Sequence, residues 1–247
     1  MQVNLQPHEP IQYRHDGILE LVNVWQTIQG EGPFAGTPSV FVRLAGCNLE
    51  CRYCDTDYTT DRYKITDKAL VELVQETRPA FVQHDLEGSQ PTMKRRIQTL
   101  AVITGGEPFR QNIASFCRLL VMDGYRVQIE TNGTYFDAEE WTVPRCTIVC
   151  SPKTPHLHPE ARRRVDHLKY VLDYRAVSPV DGLPTSVLGN GLIPARPWDG
   201  FNGETWVQPS DHGDPVLNRL SREAALKSCY QYGYRLSLQL HKILGEP

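Results

Sequence analysis

The stretch 28–60, IQGEGPFAGTPSVFVRLAGCNLECRYCDTDYTT, carries Cys47, Cys51 and Cys54 in CxxxCxxC spacing within one loop. Three thiolates that close together converge on one inorganic centre. Structural zinc and closed iron–sulfur sites take four protein ligands, so three leave a metal position open for a substrate or cofactor. Two other readings stand beside this one. The loop can be a partial zinc knuckle that borrows a ligand such as His156 or His158, or its cysteines can be small buried hydrophobes.

Outward from the loop, the chain alternates strands with helices. Upstream, ILELVNVWQTIQG mixes apolar and polar residues at near-alternate positions and reads as a first strand, and Ser39 to Leu44 as a second. Downstream, Thr66 caps a helix that runs to Arg78, with Ala69, Leu70, Leu73 and Val74 on one face. TLAVITGGEP is a buried strand that ends in Gly105, Gly106 and Glu107, and a helix is expected from Asn112 to Asp123. YRVQIETNGTY, CTIVCSPK, LKYVL and ETWVQPSD are further strands, followed by an amphipathic helix between Asp214 and Tyr232 and a last strand, RLSLQLHK. Polar and glycine residues recur at the strand ends, where parallel sheets place their ligands. The fold class is therefore α/β, a partial, open parallel barrel of about six strand–helix units with irregular insertions.

The 247 residues accommodate one large domain, expected over 18–247, with a Gly/Pro-rich insertion around 181–203 and a polar excursion near 84–94. Residues 1–17 read as a flexible extension. Hydrophobic residues at 40% and a net charge of -3 describe a soluble globular chain with no basic surplus for nucleic acid. No h-region and no long apolar run point to a membrane or a secretory route, so the expected location is cytoplasmic. Seven cysteines with three in ligand spacing suit a reducing compartment, and Cys117, Cys146, Cys150 and Cys229 read as buried thiols. Arg43, flanked by Val42 and Leu44, needs an anion, either a carboxylate-bearing substrate or a protein carboxylate.

CxxxCxxC after the strand VFVRLAG resembles the cluster motif of the radical S-adenosylmethionine (SAM) enzymes. Taken in order, IQGEGPFAGTPSVFVRLAGCNL, CDT, TGGEP, ETNGT, SPK, VQPSD and RLSLQLHK resemble the 7-carboxy-7-deazaguanine synthase family, over nearly the whole core from Ile28 to Pro247. The activating enzymes of anaerobic ribonucleotide reductase share the loop and the GGEP-like turn but not QGEG, ETNGT, SPK and LQLHK as a set. The resemblance implies a 4Fe-4S cluster on Cys47, Cys51 and Cys54, SAM held at Gly106, at Ser151, Pro152 and Lys153, and at Gln208, Pro209, Ser210 and Asp211, and Mg2+ at Thr56. It implies 6-carboxy-5,6,7,8-tetrahydropterin as substrate, bound by Ile28, Gln29, Gly30, Arg43, Thr104 and the terminal carboxylate of Pro247. No protein residue is expected to react covalently. The resemblance also implies an electron donor such as flavodoxin and a homodimer. On the residues alone, SPK and VQPSD read first as strand-ending turns, Thr56 as a turn residue bonded to backbone, and Lys169 with Glu130 as a structural ion pair.

Overall fold

The structure, a computed structural model, describes residues 3–12, 14–79, 98–138, 141, 143, 145–187, 189 and 191–246. Nine strands form one sheet: β1 (Ile18–Ile28), β2 (Pro38–Leu44), β3 (Tyr63–Thr66), β4 (Leu100–Gly105), β5 (Arg126–Thr131), β6 (Cys146–Cys150), β7 (His167–Leu172), β8 (Glu204–Pro209) and β9 (Arg235–Leu236). Their order is β3-β1-β2-β4-β5-β6-β7-β8-β9. From β2 to β9 every neighbouring pair is parallel, while β1 lies antiparallel between β2 and β3. The two edges do not meet, which makes this the open, mostly parallel sheet expected from the strand–helix alternation.

The central strands are buried because their residues are apolar on both faces. Leu100 to Ile103 on β4 are wholly covered, as are Val40, Val42 and Leu44 on β2. Helices α1 (Asp67–Thr77) and α2 (Ala114–Met122) cover one side, α1 through Leu70, Val71 and Val74 and α2 through Phe116, Cys117 and Leu120. Thr66 caps α1 by accepting from Ala69 N, as its position before an apolar-periodic run requires. α2 starts two residues later than Asn112, which instead uses its side chain to accept from Ala114 N. α3 (Pro159–Arg164) precedes β7, and α4 (Pro215–Tyr232) is capped by Asp214 and closed by Gly233 in the left-handed conformation.

Two expectations need correction. RLSLQLHK alternates like a strand, but pairing ends at Leu236 apart from Ser237 N donating to Val207 O. The chain then turns into α5 (Leu240–Leu244), because Leu240 N is captured by the carbonyl of Gly30 at 3.1 Å. The opening segment is also not a loose extension. Residues 4–12 lie along the cysteine loop, donating to its carbonyls, and Glu9 pairs with the fully buried Arg110 at 3.1 Å. A polar segment is held here because an irregular loop offers it unpaired carbonyls.

Residues 181–203 contain no helix or strand among the described positions, as an irregular insertion should, yet Leu183 and Val187 are buried and the Ala195 carbonyl accepts from Tyr170 OH. The excursion near 84–94 lies outside the described residues. Cys117 and Cys150 are fully buried, while Cys146 and Cys229 are half-buried. No helix among the described residues is long and apolar enough to cross a membrane.

Candidate active site

The carboxyl ends of the parallel strands surround a cavity of about 1030 Å³. Cys47, Cys51 and Cys54 line it from the loop after β2, Thr104, Gly105 and Gly106 from the end of β4, Glu130 to Asn132 from β5, Ser151 and Lys153 from β6, and Gln208 to Asp211 from β8. A parallel sheet brings these loops together because every strand points the same way.

The cysteine loop and the GGEP turn are pressed together. A Cβ on Gly106 would stand 2.7 Å from Cys47 Cβ and would strike the Gly46 carbonyl, so only glycine permits the approach. Glu107 does not reach the cavity. Its buried carboxyl accepts from Phe109 N at 3.0 Å, Thr131 Oγ1 at 2.6 Å and Asn132 N at 2.7 Å, bracketing the β4 turn to the β5 turn. Burial pushes its pKa up to about 7 despite those donors. The same cause pushes Cys47 up to about 12 and raises Cys51 and Cys54, so the loop presents neutral thiols until a metal displaces their protons.

Arg43 reaches the cavity from β2, with its guanidinium 4.8 Å above the centroid of Trp25. Its Nε is buried without a hydrogen-bond partner, and no carboxylate among the described residues lies within ion-pair distance. Burial lowers its pKa, with Asp55 and Asp57 opposing that effect. A partly desolvated guanidinium that lines a cavity and has no protein carboxylate beside it is a ready partner for an anion.

Opposite, Lys169 sits between Glu31 and Glu130, 2.8 Å from Glu130 Oε2 and in direct contact with Glu31. Gln208 and Gln239 both donate to Glu31 at 3.0 Å, and Gln29 to Glu130 at 3.3 Å. Burial alone would raise Glu31, but Lys169 overrides it and holds the carboxyl at about 2; Lys169 itself is driven upward by the two carboxylates against its own desolvation. This triad, with His241 and Gln239 beside it, lines the cavity and was not among the expected substrate residues. The signal was present in QGEG and LQLHK, but the partners of Glu31 lie 138 and 208 residues away.

Of the expected residues, Ile28, Gln29, Arg43, Thr104, Thr56, Gly106, Ser151, Lys153 and Gln208 to Asp211 line the cavity. Pro152 is buried beside it, and Gly30 is behind the wall, where its missing side chain admits His241. Pro247 lies outside the described residues. Neither His156 nor His158 lines the cavity; His158 caps α3 by accepting from Glu160 N. No three His, Cys, Asp or Glu side chains among the described residues crowd closely enough for a single metal ion. Three thiols spread along one cavity suit a multi-iron group better than one zinc with sulfur at about 2.3 Å. Thr56, with Asp55 and Asp57 beside it on the same rim, offers the hard oxygen donors that a magnesium ion takes.

An open parallel sheet with three loop thiols and a glycine turn against them defines a radical SAM enzyme. No protein-family model matches the chain. A 7-carboxy-7-deazaguanine synthase from Rhodospirillum rubrum is 41% identical over 236 residues, covering 92% of each chain. One of the same name from Rickettsia prowazekii is 33% identical, over 92% of this chain and 88% of that one. The crystal structure of QueE from Escherichia coli superposes with a TM-score of 0.65 over 90% of this chain and 94% of that one, at 22% identity, a likeness of fold. The chain belongs to the 7-carboxy-7-deazaguanine synthase family, radical SAM lyases of 7-deazapurine biosynthesis that use a 4Fe-4S cluster and SAM, with Mg2+.

Proposed function

We propose that this chain binds 6-carboxy-5,6,7,8-tetrahydropterin in the cavity and contracts its ring to 7-carboxy-7-deazaguanine with loss of ammonia, with Cys47, Cys51 and Cys54 as the cluster ligands. The observation that carries the substrate assignment is Arg43, a half-buried cation with no carboxylate within ion-pair distance among the described residues, which lines the same cavity as the three thiols. Held by Cys47, Cys51 and Cys54, the cluster together with SAM would supply reversible hydrogen-atom abstraction from the substrate.

The chain's own part is positioning and exclusion of water. Arg43 holds the pterin carboxylate, and Trp25 under its guanidinium fixes the fork's plane. Glu31 and Glu130, both paired with the Lys169 ammonium, accept from the amine and amide donors at the other edge of the pterin. Gln29 and Ile28 border the ring, and Thr104 stands at the end of β4 between substrate and cluster. Gly106 lets SAM approach the GGEP turn, while Ser151, Lys153 and the 208–211 turn receive its adenosyl end. The Thr56 hydroxyl, on the rim beside Asp55 and Asp57, would hold a magnesium ion, which would supply positive charge for the substrate carboxylate.

Electrons arrive from a small reductase such as flavodoxin, the chain acts as a homodimer and it works in the cytoplasm; these extend the reading from the family. The test is an anaerobic turnover of reconstituted protein with SAM, magnesium, dithionite and the carboxytetrahydropterin. Deazapurine and ammonia in equal amounts support the proposal. SAM cleavage without deazapurine would leave a radical SAM enzyme of another substrate, such as an activase, and a colourless protein without iron would return the loop to a zinc module.

A further inference from the structure

The cysteine loop over 47–59 has neither helix nor strand, so its carbonyls have no ladder to pair with. The segment 4–12 supplies donors to them, one contact for each cysteine. Glu9 N donates to the Cys47 carbonyl at 2.7 Å, and the Asn4 side chain to the Cys51 carbonyl at 3.2 Å, with Asn4 N on the Arg52 carbonyl at 2.8 Å. Gln6 acts at the third. Its Nε2 donates to the Thr56 carbonyl at 2.8 Å, the same oxygen that the Cys54 thiol contacts at 3.8 Å. Its Oε1 accepts from Tyr58 N at 2.7 Å and Thr59 Oγ1 at 3.3 Å, so one side chain clamps both limbs of the turn that carries Thr56.

The strap is anchored at its far end. Glu9 pairs with Arg110, the Pro10 carbonyl accepts from Arg110 at 3.1 Å, and Gln12 N donates to the Arg110 carbonyl at 2.7 Å. Arg110 is wholly buried under Gly46, where a Cβ would collide with its guanidinium. The strap therefore ties the loop to the core through a residue that cannot shift, rather than lying on it loosely.

We infer that residues 4–12 are a positioning strap for the cluster site, holding the 47–59 loop in its ligating shape, with Gln6 the positioning residue for the Cys54–Thr56 turn. A group held at three sulfurs would be held less firmly by a loop released at one corner, since the remaining two sulfurs alone do not fix it. The inference rests on the assignment of Cys47, Cys51 and Cys54 as cluster ligands and goes beyond it to a segment outside the motifs.

The test compares the full chain with its Gln6→Ala and Gln6→Met variants after anaerobic reconstitution. Met keeps the length and packing of Gln without its hydrogen bonds, which separates clamping from filling. The readouts are the rate of iron loss to a ferrous chelator, amide hydrogen exchange at Tyr58, and the change in the reduced cluster's electron paramagnetic resonance spectrum when SAM is added. Both variants are expected to lose iron and exchange Tyr58 on the order of tenfold faster or more, as for the loss of the three hydrogen bonds that Gln6 makes to this turn. Iron loss and Tyr58 exchange equal to the parent in both would overturn the inference, as would a lowered melting temperature with unchanged iron loss. A parent that takes up no iron would overturn the ligand assignment itself, and is told apart from the other outcomes by the parent sample alone.

Discussion

Lys169 Nζ lies 2.8 Å from Glu130 Oε2 while also contacting Glu31, so one buried ammonium compensates two carboxylates from β5 and the loop after β1. Lys169→Met removes that charge and leaves the two carboxylates facing one another. The variant is expected to lose about 3–5 kcal/mol of stability at neutral pH. The sign with pH follows from Glu31. In the parent its pKa, held at about 2 and so below its unfolded value, contributes stability above the unfolded pKa that is lost as pH falls through about 2. Without Lys169 that depression is gone and burial raises the Glu31 carboxyl. The stability gap between variant and parent should therefore narrow as pH is lowered from 7 toward 4, measured by urea unfolding of the apoproteins. A gap that is constant over that range would refute the charge argument.

Arg43→Lys keeps a cation but loses the planar fork that rests on Trp25. The KM for the carboxytetrahydropterin is expected to rise about tenfold to a hundredfold, the worth of a hydrogen bond to a charged group. Cleavage of SAM in the absence of the pterin should be unaltered. An unchanged KM would put the substrate carboxylate elsewhere.

Gly106→Ala places a methyl 2.7 Å from Cys47 Cβ and against the Gly46 carbonyl, with backbone rather than a flexible side chain in the way. The cysteine loop must move off β4. Iron per chain after reconstitution should fall well below that of the parent, with a destabilisation of about 1–3 kcal/mol. Full iron content with normal SAM cleavage would show that the loop gives way at no cost.

Glu107 titrates upward, to about 7, because burial outweighs its three donors. A folded pKa above the unfolded one means that the folded state binds more protons between about pH 4.5 and 7. Its stability contribution is full below the unfolded pKa and is lost as pH rises through the folded one. Glu107→Gln cannot titrate and turns an amide N–H toward one of the donors, so it is expected to cost about 1–3 kcal/mol. Its deficit should be larger at pH 5 than at pH 8. Thermal melts of both apoproteins across that range check the trend, and a deficit that grows with pH would reverse the assigned direction.

The strand–helix alternation was readable because burial imposes local periodicity. Of the expected face of α1, Leu70 and Val74 are buried and Leu73 is partly buried against the core, joined by Val71 in place of Ala69, and the apolar run of β4 is covered on both faces. The cluster loop was readable for a similar reason, since metal-ligand spacing is a short-range pattern. The alternation in RLSLQLHK misled, because pairing with β8 stops at Leu236 and a remote carbonyl, that of Gly30, takes Leu240 into a helix.

By itself the sequence determined the three thiols, the glycine turn, the alternation of strands and helices and, through the motif set, the family. Tertiary structure alone decided that Glu31, Glu130 and Lys169 form one charge cluster, that Arg43 has no protein carboxylate beside it among the described residues, and that residues 4–12 bind the cysteine loop. The division has a physical cause. Periodicity and ligand spacing act over a few residues, whereas a buried ion pair or a carbonyl in need of a donor is satisfied by whatever chain the fold brings near, at no fixed distance in sequence.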